Sequence, residues 1–183
     1  MKYCGVPSPI GHALAGIAAG WLVAPPTPGR RLVVTRVLVF AAAGVAPDLD
    51  LLVGAHSGPS HGVGVALLAG VLVWLALRGL TPRPGGWGQT PGLVAAAVAA
   101  AFGTHSLLDW LGTDTSPPIG IMALWPFSRE YYESSLHVFM AISRRYWLPE
   151  FWTYNALALA RELLILVPLV AACVMLRRPR WGS

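Results

Sequence analysis

Long apolar runs alternate along this chain with short stretches that break regular structure. Five apolar segments stand out, at residues 10–24, 32–46, 61–80, 91–111 and 155–176. The last three are about 20 residues long, which suffices to cross a hydrocarbon core of roughly 30 Å, whereas the first two are shorter and are expected to be tilted, re-entrant or covered by neighbours. Prolines and glycines mark the joints, at residues 25–29, 47–58, 81–91 and 117–118. The pattern predicts an all-α, polytopic membrane bundle of about five apolar helices.

Composition favours a membrane protein made of a single domain over residues 1–183. Hydrophobic residues make up 55% of the chain and charged residues only 11%, whereas soluble proteins average roughly 25% charged residues. The net charge of +5 does not predict nucleic-acid binding, because the basic residues lie between apolar runs and form no patch with interleaved aromatic residues. Gly5 and Pro7 separate Lys2 from the first apolar run, so we expect that run to be retained and not cleaved as a signal peptide.

Arginines predict the orientation of the bundle. Arginine clusters follow the first, third and fifth apolar segments. The first cluster is Arg30, Arg31 and Arg36, the second is Arg78 and Arg83, and the third is Arg177, Arg178 and Arg180. If the helices alternate in direction, all three clusters fall on one side of the membrane, which the positive-inside bias makes the cytoplasmic side. The sequence therefore predicts a multi-pass protein of the inner cell membrane, with residues 47–60 and 112–154 on its extracytoplasmic face.

The fourth apolar segment carries a histidine and a carboxylate at close spacing. His105 and Asp109 are four residues apart, so on a helix they lie on the same face and both can reach one metal ion. Other candidate ligands begin or end their segments at the same predicted end of the bundle: His12, Asp48, Asp50 and His61. Ionisable side chains are costly inside lipid, so such a cluster is a functional hypothesis by default. The sequence thus predicts a metal site at the extracytoplasmic helix ends.

Imidazole and carboxylate together suit zinc or a similar divalent ion, with manganese as the other candidate. About five or six such ligands can hold one or two ions and leave a position open for water, and the ions of a hydrolytic pair lie roughly 3.5–4 Å apart. One of Asp48 and Asp50 is expected to be a ligand, and the other a general base or a partner of loop amides after Pro47. This chemistry predicts a hydrolase that uses a metal-activated water.

An ordered set of short motifs resembles a known family. The set consists of Gly11-His12, Pro47-Asp48-Leu49-Asp50, His56 and His61 at a spacing of five, His105-Ser-Leu-Leu-Asp109 and Leu124-Trp125-Pro126-Phe127. In this order, it resembles the YdjM-type family of inner-membrane-associated metal-dependent hydrolases, which resembles in turn the all-helical zinc-dependent phospholipases C and single-strand-specific zinc nucleases. The resemblance covers about residues 12–127 and implies hydrolysis of a phosphoester. It implies as ligands His12, Asp48 or Asp50, His61, His105 and a bridging Asp109, with Asp48, Asp50 and Asp109 as candidate catalytic carboxylates.

The loop before the third segment departs from the family pattern. Here the chain has His56-Ser57-Gly58-Pro59-Ser60-His61-Gly62, where the family commonly has an arginine after the first histidine, so an arginine that could hold a phosphate is missing. His56 is a candidate substrate contact or a solvated loop histidine. Asp114 is a candidate substrate contact or part of a turn before Pro117. A site at headgroup depth favours a lipid or envelope-linked phosphoester as the substrate.

Two other functions fit part of this pattern. A non-catalytic membrane protein could hold the same metal as a structural staple and bind a protein or lipid partner, and closed coordination without a water position would favour that function. A metal transporter would need polar residues deeper along its helices. Residues 65–77 and 92–102 have almost none, which counts against a transport pathway.

The part of the chain after the motifs gives weaker signals. The aromatic residues between positions 125 and 152 are expected to act as interfacial anchors. Glu133 and His137 are spaced as i and i+4 and predict an amphipathic helix. Arg161 and Glu162 predict an internal ion pair, with Glu162 as an additional active-site carboxylate as the alternative.

Overall fold

The computed structural model describes residues 7–24, 30–53, 57–79 and 90–177. These residues form five α-helices: α1 (Pro9–Val23), α2 (Arg30–Val45), α3 (Val63–Arg78), α4 (Pro91–Leu111) and α5 (Phe151–Leu176). Two 3₁₀ helices, Ala46–Val53 and Pro59–His61, lie between α2 and α3. The predicted all-helical bundle is confirmed, and its helices agree with the predicted segments to within a few residues.

Local sequence explains where the helices begin and end. Ser8 caps α1, because its side chain accepts a hydrogen bond of 3.1 Å from the amide of Gly11. Pro9 and Pro91 occupy the first turns of α1 and α4, where a missing amide proton costs nothing. Pro47 follows the end of α2 and cannot donate an α-helical hydrogen bond. The chain therefore continues past α2 as the 3₁₀ helix that carries two candidate ligands.

Within the described part of the chain, three helical stretches are long and apolar enough to cross a membrane: Arg30–Leu52, Pro91–Leu111 and Phe151–Leu176. The prediction that the third apolar segment has spanning length is wrong, because α3 has only 16 residues. Its start is delayed to Val63 by the 3₁₀ helix Pro59–His61 and by Gly62, which is extended. The second segment instead gains length, since the 3₁₀ helix continues α2.

Small residues set the close packing of α1 on α2. A Cβ atom added to Gly16 would lie 2.9 Å from the Cα atom of Gly44, and one added to Gly20 would collide with the ring of Phe40. Close backbone approach through small residues is typical of helix association in lipid, where apolar surface alone drives little association. Gly16 contacts Gly44, and Gly20 contacts Phe40. Because the residue number rises along α1 as it falls along α2, the two helices are antiparallel. The crossing holds the start of α1, with His12, beside the end of α2.

The other contacts fix the direction of the remaining helices. A Cβ atom on Gly70 would lie 2.9 Å from the Cβ atom of Ala99, and Ala66 lies next to Gly103, so α3 and α4 are antiparallel. The side chain of Arg177 at the end of α5 donates a 2.7 Å hydrogen bond to the carbonyl of Leu22 near the end of α1. The ends of α1 and α5 therefore lie on the same side of the bundle.

One end of the bundle is basic and the other end carries the candidate ligands. Arg30, Arg78 and Arg177 begin α2, end α3 and follow α5, and the helix directions above bring these positions to one end. The opposite end holds the start of α1, the end of α2 and the end of α4. The orientation prediction requires these three arginines to lie at the same end, and they do. Which side of the membrane that end faces stays a prediction.

Residues 112–150 form an irregular cover over the ligand end. The amides of Ser134 and Val138 donate hydrogen bonds of 2.8 and 2.7 Å to carbonyls of Trp110 and Leu111 at the end of α4. The segment contains isolated bridges and turns, so the prediction of an amphipathic helix around Glu133 and His137 is wrong. Their backbone is not helical, and His137 has a φ of 44°. Short polar spacing alone cannot form a helix in a segment whose amides bond to α4.

Candidate metal centre

Four ionisable side chains from three segments meet at the ligand end of the bundle. His12 comes from the second turn of α1, His61 from the 3₁₀ helix Pro59–His61, and His105 and Asp109 from α4. They are 0%, 1%, 0% and 2% exposed, respectively. Because His105 and Asp109 lie one turn apart, the same face of α4 presents both. The predicted convergence of these four side chains is present in the structure.

Asp109 lies at the centre of the cluster and shares its two oxygens among three histidines. Its Oδ1 atom lies 3.2 Å from Nε2 of His12. Its Oδ2 atom lies 3.3 Å from Nε2 of His61 and 3.2 Å from Nε2 of His105. Each oxygen of the carboxylate therefore faces a different set of imidazole nitrogens.

The ring of His105 is oriented by the backbone of α2. Its Nδ1 atom is 2.8 Å from the carbonyl oxygen of Gly44, which can only accept a hydrogen bond. Nδ1 therefore carries the proton, and Nε2 of the neutral ring is left with a lone pair for a metal. That Nε2 atom is 3.1 Å from Nε2 of His61 and 3.6 Å from Oδ1 of Asp48. The ring of His105 also stacks on that of His12, with centroids 3.7 Å apart.

Asp48 and Asp50 approach the cluster from different sides. Oδ1 of Asp48 faces Nε2 of His105. Oδ2 of Asp50 instead lies 3.4 Å from Nδ1 of His61, the nitrogen that points away from Asp109. The hydroxyl of Ser60 donates a 2.6 Å hydrogen bond to the same Asp50 oxygen. Asp50 thus occupies the position of a carboxylate that orients a metal-binding histidine, and Asp48 occupies the position of a ligand.

The buried polar atoms of the cluster fit a cation. Both ring nitrogens of His12 and both oxygens of Asp109 are buried without a hydrogen-bond partner in the described part of the chain, which is costly for polar atoms. Ligands about 2.0–2.1 Å from a tetrahedral zinc ion lie roughly 3.3–3.4 Å apart. The contacts among the donor atoms here run from 3.1 to 3.6 Å. Two groups of three have all their ligand atoms within 4.8 Å of one another: His12, Asp48 and His105, and His61, His105 and Asp109.

His61, which lies outside the spanning segments, has a shifted pKa. Burial favours the neutral ring and lowers the pKa of His61, but interactions with the carboxylates of Asp109 and Asp50 raise it more, so that the net pKa is raised. Without a bound cation, the ring keeps its proton to higher pH than a free histidine does. A cation that binds Nε2 therefore competes with a proton.

Asp114 and His56 are the two predicted substrate contacts. Asp114 accepts hydrogen bonds from the amides of Ser116 and Gly120, at 2.9 and 3.0 Å, and so holds the turn after α4. This geometry agrees with the turn interpretation, and the predicted substrate contact of Asp114 stays a prediction. His56 lies outside the described residues, and its role stays a prediction.

Sequence reasoning missed several groups that hold the ligands. The hydroxyl of Ser106 donates a 2.6 Å hydrogen bond to the carbonyl of His61, and so ties the 3₁₀ helix to α4. The carbonyl of Gly44 orients His105, and Ser60 orients Asp50. Ser60 and Ser106 are the sequence neighbours of His61 and His105, so their roles could have been suggested from the sequence. The contact of the Gly44 carbonyl with His105 could not, because every residue has a backbone carbonyl.

Glu162 has a different role from the one predicted. It is fully buried in α5, where its two oxygens accept hydrogen bonds from the amide of Ser8, at 2.7 Å, and from the hydroxyl of Ser8. Arg161 instead donates to the carbonyl of His137. The predicted ion pair between Arg161 and Glu162 is therefore wrong, because neighbouring residues on a helix point in different directions. Through Ser8, which lies four residues before His12, Glu162 anchors the start of α1.

Comparison with known families finds a match over most of the chain. The model of the family described as YdjM inner membrane protein matches residues 8–180, a range that includes the whole His and Asp cluster. No curated protein matches the chain, and no solved structure matches it. The likeness to phospholipases C and zinc nucleases stays a prediction.

Proposed function

We propose that this chain, which belongs to the YdjM inner membrane protein family, is a membrane-bound, metal-dependent hydrolase of a phosphoester. The observation that carries the proposal is the carboxylate of Asp109, whose two oxygens each lie 3.2–3.3 Å from imidazole nitrogens. Three neutral histidines and two aspartates are a ligand set for zinc or manganese. The description of the family gives a location in the inner membrane and no activity. The proposal adds the activity.

The ligands divide between two cations. His12 contacts Oδ1 of Asp109, and His61 contacts Oδ2. The ligand atoms of Asp48 and His12 lie within 4.8 Å of each other, so we assign Asp48 to the same cation as His12. His105 has a single nitrogen available because Gly44 occupies the other one, so it serves one cation, which we assign to the Oδ2 side on the basis of its 3.2 Å contact. Each cation would then be held by three protein ligands, which would leave one position of a tetrahedral ion open for water.

A bound divalent cation supplies two effects in such a centre: it lowers the pKa of water toward about 7, and it neutralises charge on a phosphoryl oxygen. The residues of the chain do the positioning. Asp50 and Ser60 hold the ring of His61, and Gly44 holds that of His105. The side chain of Asp48 is 14% exposed, more than the other ligands, so we assign to it contact with substrate and acceptance of the proton from the attacking water.

The side of the membrane is part of the same proposal. The cluster lies at the end of the bundle opposite Arg30, Arg78 and Arg177, and arginines favour the cytoplasmic side. We therefore assign the site to the extracytoplasmic face of the inner membrane. A substrate that reaches this depth is a lipid or a phosphoester linked to the envelope.

The depth of burial favours a second candidate function. His12, His105 and Asp109 have at most 2% of their surface exposed, as expected of a structural metal site with closed coordination. In that case a single cation would take His12, His61, His105 and Asp109, and the protein would present a protein- or lipid-binding surface without turnover.

Metal content and turnover, measured on the same samples, test both functions. The full chain would be purified in detergent, loaded with zinc, and assayed for bound metal and for hydrolysis of bis-p-nitrophenyl phosphate. We expect bound zinc and turnover that EDTA abolishes, both lost in His105→Ala and both retained in the matched variant His137→Ala. Bound zinc that depends on His105, without hydrolysis of this or lipid phosphoesters, would favour the structural function; no bound metal would refute both.

A further inference from the structure

A cavity opens beside the metal cluster and is shared by three parts of the chain. It has a volume of about 240 Å³ and lies between the residues before α1, the end of α2 with its 3₁₀ helix, and residues 142–144. Its apolar wall is formed mainly by Val45, Leu49, Leu51, Leu52 and Ile142. Apolar walls with a few polar groups are typical of a pocket for an amphiphilic molecule.

Asp48 connects this cavity with the cluster. Its side chain lines the cavity, and its Oδ1 atom lies 3.6 Å from Nε2 of His105. A molecule in the cavity is therefore separated from the candidate metal ligands by a single side chain. The 3₁₀ helix that follows Pro47 makes this possible, because it carries Asp48 toward α4 and its leucines toward the cavity.

Arg144 is the cation of the cavity lining. It forms no ion pair and no side-chain hydrogen bond with any residue in the described ranges, and it is exposed. An arginine without a carboxylate partner beside an apolar pocket keeps its planar donors available for a phosphate.

The leucines of the cavity lining offer a route for hydrocarbon. Leu52 is 82% exposed and Leu49 is 62% exposed, although both also line the cavity. These exposed leucines lie at the end of the apolar stretch Arg30–Leu52 and form an apolar rim. Binding of a free phosphate ion would not use such a rim. The combination of this rim with Arg144 matches a phosphate group that carries acyl chains.

We propose that this cavity binds the phosphate headgroup and the first part of the acyl chains of a lipid phosphate, with Arg144 as the residue that holds the phosphate. The inference rests on the proposed function, since it names the substrate class of that site. In this arrangement the phosphoester lies between the guanidinium of Arg144 and the carboxylate of Asp48. Arg144 contacts substrate, and the leucine rim selects for the acyl chains.

Binding of a short-chain lipid phosphate tests this assignment. Dihexanoyl phosphatidic acid would be titrated into the full chain in nonionic detergent, and binding would be measured by calorimetry. Two control probes would be titrated in the same way: inorganic phosphate, which lacks the acyl chains, and dihexanoylglycerol, which lacks the phosphate. We expect phosphatidic acid to bind more tightly than either probe, and Arg144→Ala to weaken that binding about tenfold or more. Arg145→Ala is the matched control, because the neighbouring arginine does not line the cavity, and we expect a change of less than about twofold.

The titrations would be run with bound zinc and again in EDTA, so that the dependence on Arg144 is measured independently of the metal. Equal binding by Arg144→Ala and Arg145→Ala would overturn the assignment of Arg144, while metal content and turnover as in the unmodified chain would leave the proposed function intact. Binding of inorganic phosphate as tight as that of phosphatidic acid would overturn the lipid assignment. If the unmodified chain took up no zinc but still bound phosphatidic acid through Arg144, the proposed function alone would be contradicted.

Discussion

Substitution of Asp109 by asparagine probes the centre of the cluster with little change in shape. The change removes the negative charge and replaces one oxygen by an amide nitrogen, which has no lone pair for a metal. The remaining oxygen can face either His12 or the pair of His61 and His105, whose nitrogens lie 3.2–3.3 Å from the present oxygens. One of the two cation positions therefore loses its carboxylate whichever way the amide turns.

The expected loss of affinity follows from the role of Asp109 as a ligand. Loss of a group that only orients a metal ligand costs typically 10- to 100-fold in affinity, so loss of a bridging ligand is expected to cost on the order of 100-fold or more, which corresponds to about 2.7 kcal/mol. We expect Asp109→Asn to retain at most one of the two ions. Competition with a chromogenic chelator, together with metal content by mass spectrometry, would measure both quantities.

Asp114→Asn is the matched control for this experiment. Asp114 is also a buried aspartate near the end of α4, but its oxygens accept hydrogen bonds from Ser116 and Gly120. We expect this variant to lose stability by about 1–2 kcal/mol and to keep the metal. If Asp109→Asn bound metal with the affinity and stoichiometry of the unmodified chain, the reasoning about the bridging carboxylate would be refuted.

Three further predictions concern the surroundings of the cluster. Asp50→Asn should weaken metal affinity about 10- to 100-fold without changing stoichiometry, because Asp50 orients His61; chelator competition would show it, and unchanged affinity would exclude the orienting role. Metal affinity should fall as pH falls through the raised pKa of His61, since the proton displaces the cation below that pKa and is lost above it; binding independent of pH between about 6 and 8 would contradict this. Glu162→Ala should destabilise the protein by about 1.5–3 kcal/mol, because Ser8 loses its charged acceptor, whereas Glu150→Ala on the surface should change stability by less than about 0.5 kcal/mol in the same thermal unfolding assay.

The helical bundle could be predicted because hydropathy and breakers specify it directly. Helix α4 matches the predicted segment 91–111 at both ends, since Pro91 begins it and Gly112 follows it. The length of α3 could not be read in the same way. Hydropathy does not distinguish a 3₁₀ helix from the first turn of an α-helix, so the sequence predicts an apolar helix from residue 61, whereas α3 begins at Val63.

The cluster could be predicted as a set of residues but not as a geometry. Alternating helix directions bring His12, His61 and His105 to one end, and that inference needs no side-chain detail. The difference between Asp48 and Asp50 depends on a 3₁₀ helix, which turns by about 120° per residue and separates the two side chains by about 240°. The partners Gly44 and Ser8 lie far in sequence from the groups they hold, His105 and Glu162, and no local pattern indicates such contacts.

In the proposed lipid-phosphate site, Arg144 would supply the phosphate-binding cation from a distant part of the chain. The loop at residues 56–62 lacks the arginine expected there, and sequence order alone then argues against phosphate binding. The cover at residues 112–150 brings Arg144 to the cavity that Asp48 lines. A residue about 80 positions further along the chain is beyond the reach of motif reasoning.

X-ray absorption at the zinc edge of the metal-loaded chain tests the two-cation centre most directly. We expect nitrogen and oxygen ligands at about 2.0–2.1 Å, imidazole scattering, and a second zinc ion at roughly 3.5–4 Å. The second-ion scattering should disappear in Asp109→Asn, because that carboxylate joins the two sites. A single zinc ion with four protein ligands, or no zinc that depends on His105, would contradict the account.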